Sequence, residues 1–400
     1  MPVTKVAPTP RFEGLRVEKR AALLAAVDSI RDTIERHAGE AERLGTLPRA
    51  SVDALVNTGL LSLKTPEVLG GVEADPALQF EVIERLSAID PSAGWCLMIG
   101  GTGVGLPGAF LPDDAIHRMF EGGRIPTAAI VAVPSGEAVP VSGGYRLTGR
   151  WSFVSGVPHA EWVTVGAMVR KSDATPPEPR LFVVPASAVT LHDNWHVMGL
   201  KGTGSCDVSL TDCLVPEAFT WHRLNSPRQR GGALYCMGHP GFVANEHAAF
   251  AIGGARGALE AVQKLARSKR RSFAPGPSSI ESRAVFQRFV GTADMRLRSA
   301  RALVLEVYAE AWEIASRGEV PPPHIQAAIR SACAFATEVA ADVTSEAFRF
   351  GGGEAAYETH LLQRYLRDVN VGAQHLMMSA VAYENHGQFL MGLPGADPLR

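Results

Sequence analysis

Apolar residues in the first third of the chain recur at the spacing of an amphipathic helix. Leu23, Val27 and Ile30 lie three or four positions apart and therefore share one face of a helix. Further along, Asp75-Pro76 combines a residue that accepts hydrogen bonds at a helix start with a proline suited to the first turn. The pattern predicts a helical N-terminal domain over residues 1–125.

The pattern changes between about Pro126 and Pro216, where short runs rich in β-branched and aromatic residues follow one another without helices between them. Ser142-Gly143-Gly144 predicts a tight hairpin turn between two of these runs. Short, closely spaced strands indicate a small barrel or sandwich, and we expect a β-barrel domain over 126–230. The predicted strands are Ala128–Val133, Tyr145–Val154, Trp162–Val169, Leu181–Val184 and Val208–Val215.

Helical spacing returns at about Gly241 and then continues. Four long segments with short connections predict a four-helix bundle over residues 231–400. The predicted fold class is therefore α+β and mostly α, with an N-terminal helical domain, a central β-barrel and a C-terminal four-helix bundle. The predicted helices of the bundle are Val243–Ser272, Ile280–Arg317, His324–Phe350 and Leu361–Leu390.

Charge and cysteine content narrow the function. A net charge of −2 argues against binding nucleic acid or an anionic membrane through a basic surface. Five cysteines, an odd number without a CxxC pair, argue against a disulfide framework or a zinc site and favour a reducing compartment. The first residues lack the apolar stretch of a secretory signal, so we expect a cytoplasmic protein. The uncharged segment Pro91–Pro112 is rich in glycine, which favours a buried segment over a membrane span.

Four groups of residues carry a family resemblance through their order and spacing. They are Thr65-Pro66-Glu67 with Gly70-Gly71 and then Asp90-Pro91-Ser92; Gly149–Trp162 (GRWSFVSGVPHAEW); Met198–Val208 (MGLKGTGSCDV); and Phe350–Tyr357 (FGGGEAAY) followed by Gln363–His375 (QRYLRDVNVGAQH). In this order the chain resembles the acyl-CoA dehydrogenase superfamily along essentially its whole length. The resemblance implies the same succession of helices, β-barrel and four-helix bundle.

Within that superfamily, the details resemble the two-component flavin-dependent monooxygenases. The segment Val131–Ser142 lacks the acidic loop of the dehydrogenases, and GTGS at Gly202–Ser205 is typical of the oxygenases. The resemblance implies an enzyme that takes reduced FMN, or FAD as the second choice, from a separate flavin reductase. With O2 it would oxygenate an aromatic or heteroatom-containing small molecule through a C4a-hydroperoxyflavin, as a homotetramer.

The resemblance also locates the expected catalytic residues. Most acyl-CoA dehydrogenases carry a catalytic glutamate eight residues past the aspartate of Arg367-Asp368, and here Leu376 occupies that position with His375 beside it. Leucine cannot abstract a proton. We therefore expect His375 to stabilise the peroxide or to deprotonate the substrate. Ser155 matches the superfamily position that faces flavin N5, and we expect it to be the partner of that atom.

The remaining site residues are expected to bind the flavin. Gly156 would allow close approach of the backbone, and the GTGS segment could offer backbone N–H groups. Arg270 and Phe273 have the spacing that the superfamily uses at the phosphate end of the flavin. Together the predicted flavin contacts are Trp151, Ser152, Ser155, Gly156, Gly202, Thr203, Ser205, Arg270, Phe273, Gly351 and Gly352.

Two other functions stay open at this point. An acyl-CoA dehydrogenase could use Glu246, which matches the base position of a minority of the superfamily, although an acidic residue in a first helical turn is its plainer role. A non-catalytic flavin-fold binding protein is the third hypothesis, because a turn serine or a packed histidine also has ordinary structural roles. Many hydroxylases of the oxygenase branch carry a substrate-side histidine that Trp95–Phe110 lacks, so the substrate stays open.

Overall fold

The computed structural model describes residues 12–170, 176–223, 225–269 and 279–399. Ten α-helices and seven β-strands lie within these ranges. The helices are α1 (Arg16–Leu44), α2 (Arg49–Asn57), α3 (Pro76–Ile89), α4 (Pro91–Phe110), α5 (Asp113–Met119), α6 (Ala244–Ser268), α7 (Ala284–Ser316), α8 (Pro323–Gly351), α9 (Leu361–Gly372) and α10 (Val381–Leu390). The strands are β1 (Ala128–Val141), β2 (Gly144–Trp151), β3 (Trp162–Val169), β4 (Glu178–Pro185), β5 (Thr190–His192), β6 (Asp207–Pro216) and β7 (Thr220–His222).

The helices predicted near the N-terminus are present. Helix α1 buries Leu23, Val27 and Ile30 on one face, which confirms the amphipathic spacing. Helix α3 begins where Asp75-Pro76 predicted a start: the Asp75 carboxylate accepts a hydrogen bond from the backbone N–H of Leu78 at 3.0 Å. That bond satisfies a backbone donor that the first helical turn leaves without a partner.

The seven strands form one sheet in the order β5-β6-β2-β1-β3-β4-β7. The predicted hairpin turn joins β1 to β2, and Val141 pairs with Gly144 across it. Strand β1 runs parallel to β3, whereas every other neighbouring pair in this sheet is antiparallel. All five predicted strands are confirmed. The edge strands β5 and β7 have three residues each, too few to show an alternating pattern.

The C-terminal helices differ from the prediction in one place. The first three predicted helices are confirmed as α6, α7 and α8, although α6 ends at Ser268 and residues 270–272 of the predicted helix lie outside the described residues. Leu361–Leu390 is not one helix, because α9 ends at Gly372 and α10 begins at Val381. A 3-10 turn lies between them, and the side chain of His375 accepts the N–H of Met377 there. A continuous helix would use that N–H internally, so the single-helix prediction was wrong at this point.

The described residues form two compact units. The first contains the described parts of Met1–Ala74, Trp95–His196 and Lys201–Tyr235, and the second those of Asp75–Gly94, Val197–Leu200 and Cys236–Arg400. In the second unit α3 packs along α6, and Glu84 of α3 pairs with Arg256 and Arg301 at 2.8 Å each. Helix α3 therefore joins the C-terminal helices. The three-domain division at residues 125 and 230 stays a prediction.

Helix α4 was the segment for which a membrane span needed consideration. It has 20 residues and contains Pro107. Within the described parts of the chain, no helix has the length and the apolar content that crossing a membrane would need.

Candidate active site

Ser155 lies in the loop after β2, and only 5% of its surface is exposed. Its Oγ is 2.7 Å from Ser205 Oγ, which is in turn 2.7 Å from Thr203 Oγ1. The indole Nε1 of Trp95, in α4, donates to Ser155 Oγ at 3.0 Å. The fold thus joins three predicted flavin contacts and adds Trp95, for which the sequence offered no signal beyond its place in an apolar helix.

The hydroxyl groups of Thr203, Ser205 and Ser155 form a hydrogen-bonded series in which the last group can donate to a ligand. The indole N–H of Trp95 can only donate, so Ser155 Oγ accepts from it. Three hydroxyl groups carry three hydrogens, and the two bonds that join them use two. When the series donates from Thr203 towards Ser155, the remaining hydrogen belongs to Ser155 and can be donated to a ligand.

Phe153 adds an aromatic surface to the same loop. Its backbone φ is +64°, a value that side-chain-bearing residues seldom adopt, and 71% of its surface is exposed. Its ring makes an edge-to-face contact with Trp195 at 6.2 Å between centroids. An exposed aromatic ring held in a strained backbone, beside buried hydroxyl groups, fits a flat aromatic cofactor with hydrogen-bonding edges such as a flavin.

The segment 202–205 supports this loop. The N–H of Gly156 donates to the Thr203 carbonyl at 2.8 Å, and Gly202 lies buried in the same 3-10 turn. Thr203 has no exposed surface, and its contact with a bound flavin stays a prediction. Its hydroxyl orients Ser205, which then reaches Ser155.

Ser152 lies on the exposed side of the loop and hydrogen-bonds Asp207. Burial acts to raise the pKa of Asp207, but hydrogen bonds from Asn194, Arg150 and Ser152 outweigh it and hold that pKa below its ordinary value. Asp207 is therefore ionised at neutral pH and draws the Ser152 hydroxyl towards itself. A flavin contact by Ser152 stays a prediction.

Trp151, another predicted flavin contact, lies in the core of the sheet, and its contact with flavin stays a prediction. Trp151 has no exposed surface, and its indole Nε1 donates to the Gly166 carbonyl at 2.6 Å. A Cβ at Gly136 would lie 2.3 Å from the indole ring, so only glycine fits against it. Trp151 is a core residue that supports the end of β2.

His375 lies in the second unit, at the start of the 3-10 turn that follows α9, and is partly buried. Its Nδ1 accepts the N–H of Met377 at 3.3 Å. In a neutral imidazole the other nitrogen then carries the hydrogen, so His375 presents an Nε2–H donor. Burial lowers the pKa of His375 to about 4, and the ring is therefore neutral at neutral pH.

A second histidine packs against His375. The ring of His247 on α6 lies 4.2 Å from that of His375 between centroids, with a tilt of 34°. His247 is 5% exposed, and its Nδ1 bonds the Val243 carbonyl at 3.1 Å. The sequence placed His247 only as the neighbour of Glu246, which lies in the first turn of α6 as expected and is 2% exposed. The two histidines are too far apart in the chain for any local spacing to connect them.

The last predicted contacts lie near the end of α8. Gly351 packs so closely that a Cβ would lie 2.5 Å from that of Ala355, and its carbonyl accepts a hydrogen bond from Lys269. Gly352 is exposed with φ +58°. The structure gives Gly351 a packing role, and flavin contacts by both glycines stay predictions. Arg270 and Phe273 lie outside the described residues.

Replacing Ser155 with Ala should weaken the binding of reduced flavin by about tenfold, because one hydrogen bond to the ligand is lost. Anaerobic titration of the protein with reduced flavin measures the change. Ser135→Ala removes a hydroxyl from an exposed position and should leave the affinity unchanged. Equal affinities in Ser155→Ala and the unmodified protein would show that Ser155 does not contact the flavin.

The family of the chain follows from two matches. The model for the N-terminal domain of acyl-CoA dehydrogenases matches residues 17–108, and the model for their C-terminal domain matches residues 246–380. Together the two matches cover more than half of the chain. The protein therefore belongs to the acyl-CoA dehydrogenase superfamily, as the resemblance predicted.

Similar proteins show to which branch of the superfamily the chain belongs. An indole-3-acetate monooxygenase of Pseudomonas putida is 32% identical, over 98% of this chain and 97% of its own length. The oxygenase subunit HsaA, a flavin-dependent monooxygenase of Mycobacterium tuberculosis, is 29% identical over 94% of this chain and 97% of its own length. The structure of XiaF from Streptomyces sp., solved with FADH2 and glycerol, has a TM-score of 0.83 and 28% identity, and 96% of this chain and 98% of XiaF are covered. The expected branch, that of the flavin-dependent monooxygenases, is confirmed.

Proposed function

We propose that this protein is the oxygenase component of a two-component system and receives reduced flavin from a separate reductase. The observation that carries the proposal is His375, a neutral imidazole with an Nε2–H donor. Beside it, Leu376 occupies the position where a dehydrogenase of this superfamily would need a carboxylate. The similarity to an enzyme described as an oxygenase subunit supports a separate source of reduced flavin.

The reaction transfers one atom of O2 to a small molecule. Reduced flavin supplies the two electrons and two hydrogens and activates O2 when it is bound. For an aromatic substrate, one C–H bond becomes C–OH while oxidised flavin and one water are released. For a substrate with a nucleophilic heteroatom, the same oxygen atom is added there and the rest of the balance is unchanged. An indole-3-acetate monooxygenase among the relatives favours an aromatic substrate.

The hydrogen-bonding arrangement supports one of the two roles considered for His375. Its Nδ1 lone pair is occupied by the Met377 N–H, and its Nε2 carries the hydrogen. A neutral ring in this tautomer donates at Nε2 and cannot accept a proton there. We therefore propose that His375 stabilises negative charge on oxygen, and that Ser155 donates its hydroxyl hydrogen to the flavin.

A reductase-coupled assay tests the proposed function. Protein supplied with NADH, a flavin reductase, FAD and an aromatic probe such as indole-3-acetate should form oxygenated product in proportion to the NADH consumed. A matched reaction without the protein should give only hydrogen peroxide. Peroxide as the sole product with aromatic, amine and sulfide probes alike would contradict the proposal, and bleaching of bound oxidised flavin by an acyl-CoA would favour a dehydrogenase that uses Glu246.

We further propose that FAD is the preferred flavin, although FMN was the first choice from the sequence. The presence of FADH2 in the XiaF structure supports FAD. Anaerobic titrations with reduced FAD and reduced FMN should show tighter binding of FAD, because its adenosine half adds contacts that FMN cannot make. Tighter binding of FMN would restore the first choice.

A homotetramer stays the proposed assembly. Several large apolar side chains of the C-terminal part are exposed, which supports association with further copies; they are Tyr357, Leu376, Leu390 and Met391. Light scattering of the purified protein measures the mass, and a monomer at working concentration would contradict this proposal.

A further inference from the structure

Helix α8 carries a buried arginine whose partners are all uncharged. Arg330 is 3% exposed. Its Nη2 donates to the Leu376 carbonyl at 3.1 Å and to Ser379 Oγ at 3.3 Å, and its Nε donates to the Met377 carbonyl at 3.3 Å. Its Nη1 donates to the Pro398 carbonyl at 3.2 Å. Each of these oxygens belongs to the turn that follows His375 or to the C-terminal residues.

A cation placed here without a carboxylate is unfavourable for stability. Removing a charged group from water is costly unless it is paired or fully hydrogen-bonded, and burial already lowers the pKa of Arg330 below its ordinary value. A planar guanidinium can satisfy several carbonyl groups at once in a fixed geometry, which a lysine ammonium cannot do. The side chain therefore acts as a clamp on the turn.

The clamp reaches His375 through a single peptide group. The peptide between Leu376 and Met377 has its carbonyl bound by Arg330 and its N–H bound by Nδ1 of His375. A cation on the oxygen of an amide draws electrons from the nitrogen and makes the N–H a stronger donor. When the Met377 N–H is a stronger donor to Nδ1, the tautomer of His375 with the hydrogen on Nε2 is favoured.

We propose that Arg330 is a positioning residue which, through the Leu376–Met377 peptide, holds His375 as an Nε2–H donor. This role rests on the proposed function of His375. It differs from an ordinary structural role because Arg330 sets which nitrogen of His375 carries the hydrogen. The ring of His247 packs against that of His375.

Chemical labelling tests the tautomer without any need for activity. Diethyl pyrocarbonate reacts with an imidazole nitrogen that has a free lone pair, and in the proposed tautomer the lone pair of His375 is turned into the Met377 N–H. Labelling of His375 in the folded protein, measured afterwards by digestion and mass spectrometry, should be roughly tenfold faster in Arg330→Gln than in the unmodified protein, the effect of weakening about one hydrogen bond. His117, which is exposed on α5, is the internal reference.

A matched variant controls for the loss of an arginine. Arg296→Gln removes an arginine of α7 that pairs with Asp342 and Glu346, and it should leave labelling of His375 unchanged. If Arg330→Gln does not fold, Arg330→Met replaces it, because methionine fills a similar length of space without a charge or a hydrogen-bond donor. An unchanged labelling rate at His375 in the folded variant would overturn the proposal.

A double-mutant cycle tests the same role in catalysis. As a single substitution, Arg330→Gln should lower the product formed per reduced flavin by roughly tenfold. In a protein that already carries His375→Gln, the same substitution should lower it by less than about twofold. Equal losses in both backgrounds would overturn the proposal, since Arg330 would then act independently of His375. An unmodified protein that forms no product with any probe would refute the proposed function, while the labelling result would still decide the role of Arg330.

Discussion

Replacing His375 with Ala should lower the rate of substrate oxygenation by roughly 10²–10³-fold, the loss typical of removing one donor that stabilises developing charge. The reason lies in the Nε2–H of the neutral ring. Beside it, Leu376 has an apolar side chain, and the N–H of Met377 is already bound to Nδ1. The measurement is product formed per reduced flavin, with hydrogen peroxide counted in parallel. Peroxide should rise as product falls.

Two variants make this result specific. His375→Gln places an amide N–H near the position of Nε2 and should recover a large part of the lost coupling. His117→Ala, at an exposed position on α5, should behave like the unmodified protein. Normal coupling in His375→Ala would remove His375 from the mechanism.

The pH dependence follows from the same group. Because burial lowers the pKa of His375 to about 4, the ring stays neutral down to that pH and becomes protonated only below it. The contribution of His375 to product formation should therefore be constant between about pH 6 and 8. A transition near pH 6.5, the ordinary pKa of histidine, that disappears in His375→Gln would show that the ring is more solvated than its position indicates.

Replacing Trp151 with Ala should lower the free energy of unfolding of the flavin-free protein by about 3–5 kcal/mol. The change removes a side chain with no exposed surface and leaves the Gly166 carbonyl without its indole donor. The cavity cannot close easily, because Gly136 has no side chain to fill it and β2 is hydrogen-bonded to β1 on one side and to β6 on the other. Urea unfolding followed by far-ultraviolet circular dichroism, which reports on the backbone, measures the difference in the free energy of unfolding.

Phe153→Ala is the matched control for Trp151. Phe153 is also aromatic and lies only two residues further on, but 71% of its surface is exposed. Its removal should change the stability of the flavin-free protein by about 0.5 kcal/mol or less and should weaken flavin binding instead. If Trp151→Ala left stability unchanged and weakened only flavin binding, the original prediction of a flavin contact would be correct.

Much of the candidate site was predictable because its signal is local. Ser155, Gly156 and Ser205 belong to short motifs, and the strand ends that carry them follow from alternation and turn residues. Those local patterns do not predict which side chains at the end of a strand pack against other helices or strands and which remain accessible to a ligand. Trp151 shows the consequence, because an aromatic residue in a flavin-facing motif was predicted as a contact and lies inside the sheet.

The residues that the sequence missed act across long separations. Trp95 bonds Ser155 across 60 positions, and Arg330 binds the turn after His375 from 46 positions away. No spacing rule connects such pairs, since the contact depends on how helices pack rather than on the period within one helix. The break between α9 and α10 has the same origin, because the helical spacing is maintained on both sides of it.

By itself, the sequence determined the succession of helices, strands and helices, the superfamily, and the absence of a carboxylate at the position of Leu376. Periodicity and short motifs suffice for these, because each depends on neighbouring residues in the chain. Only the tertiary structure decided that Trp151 belongs to the core, that α3 joins the C-terminal helices, and that Nδ1 of His375 accepts the N–H of Met377. Burial, tautomer and the partners of a buried charge are properties of what surrounds a residue, and packing alone determines those surroundings.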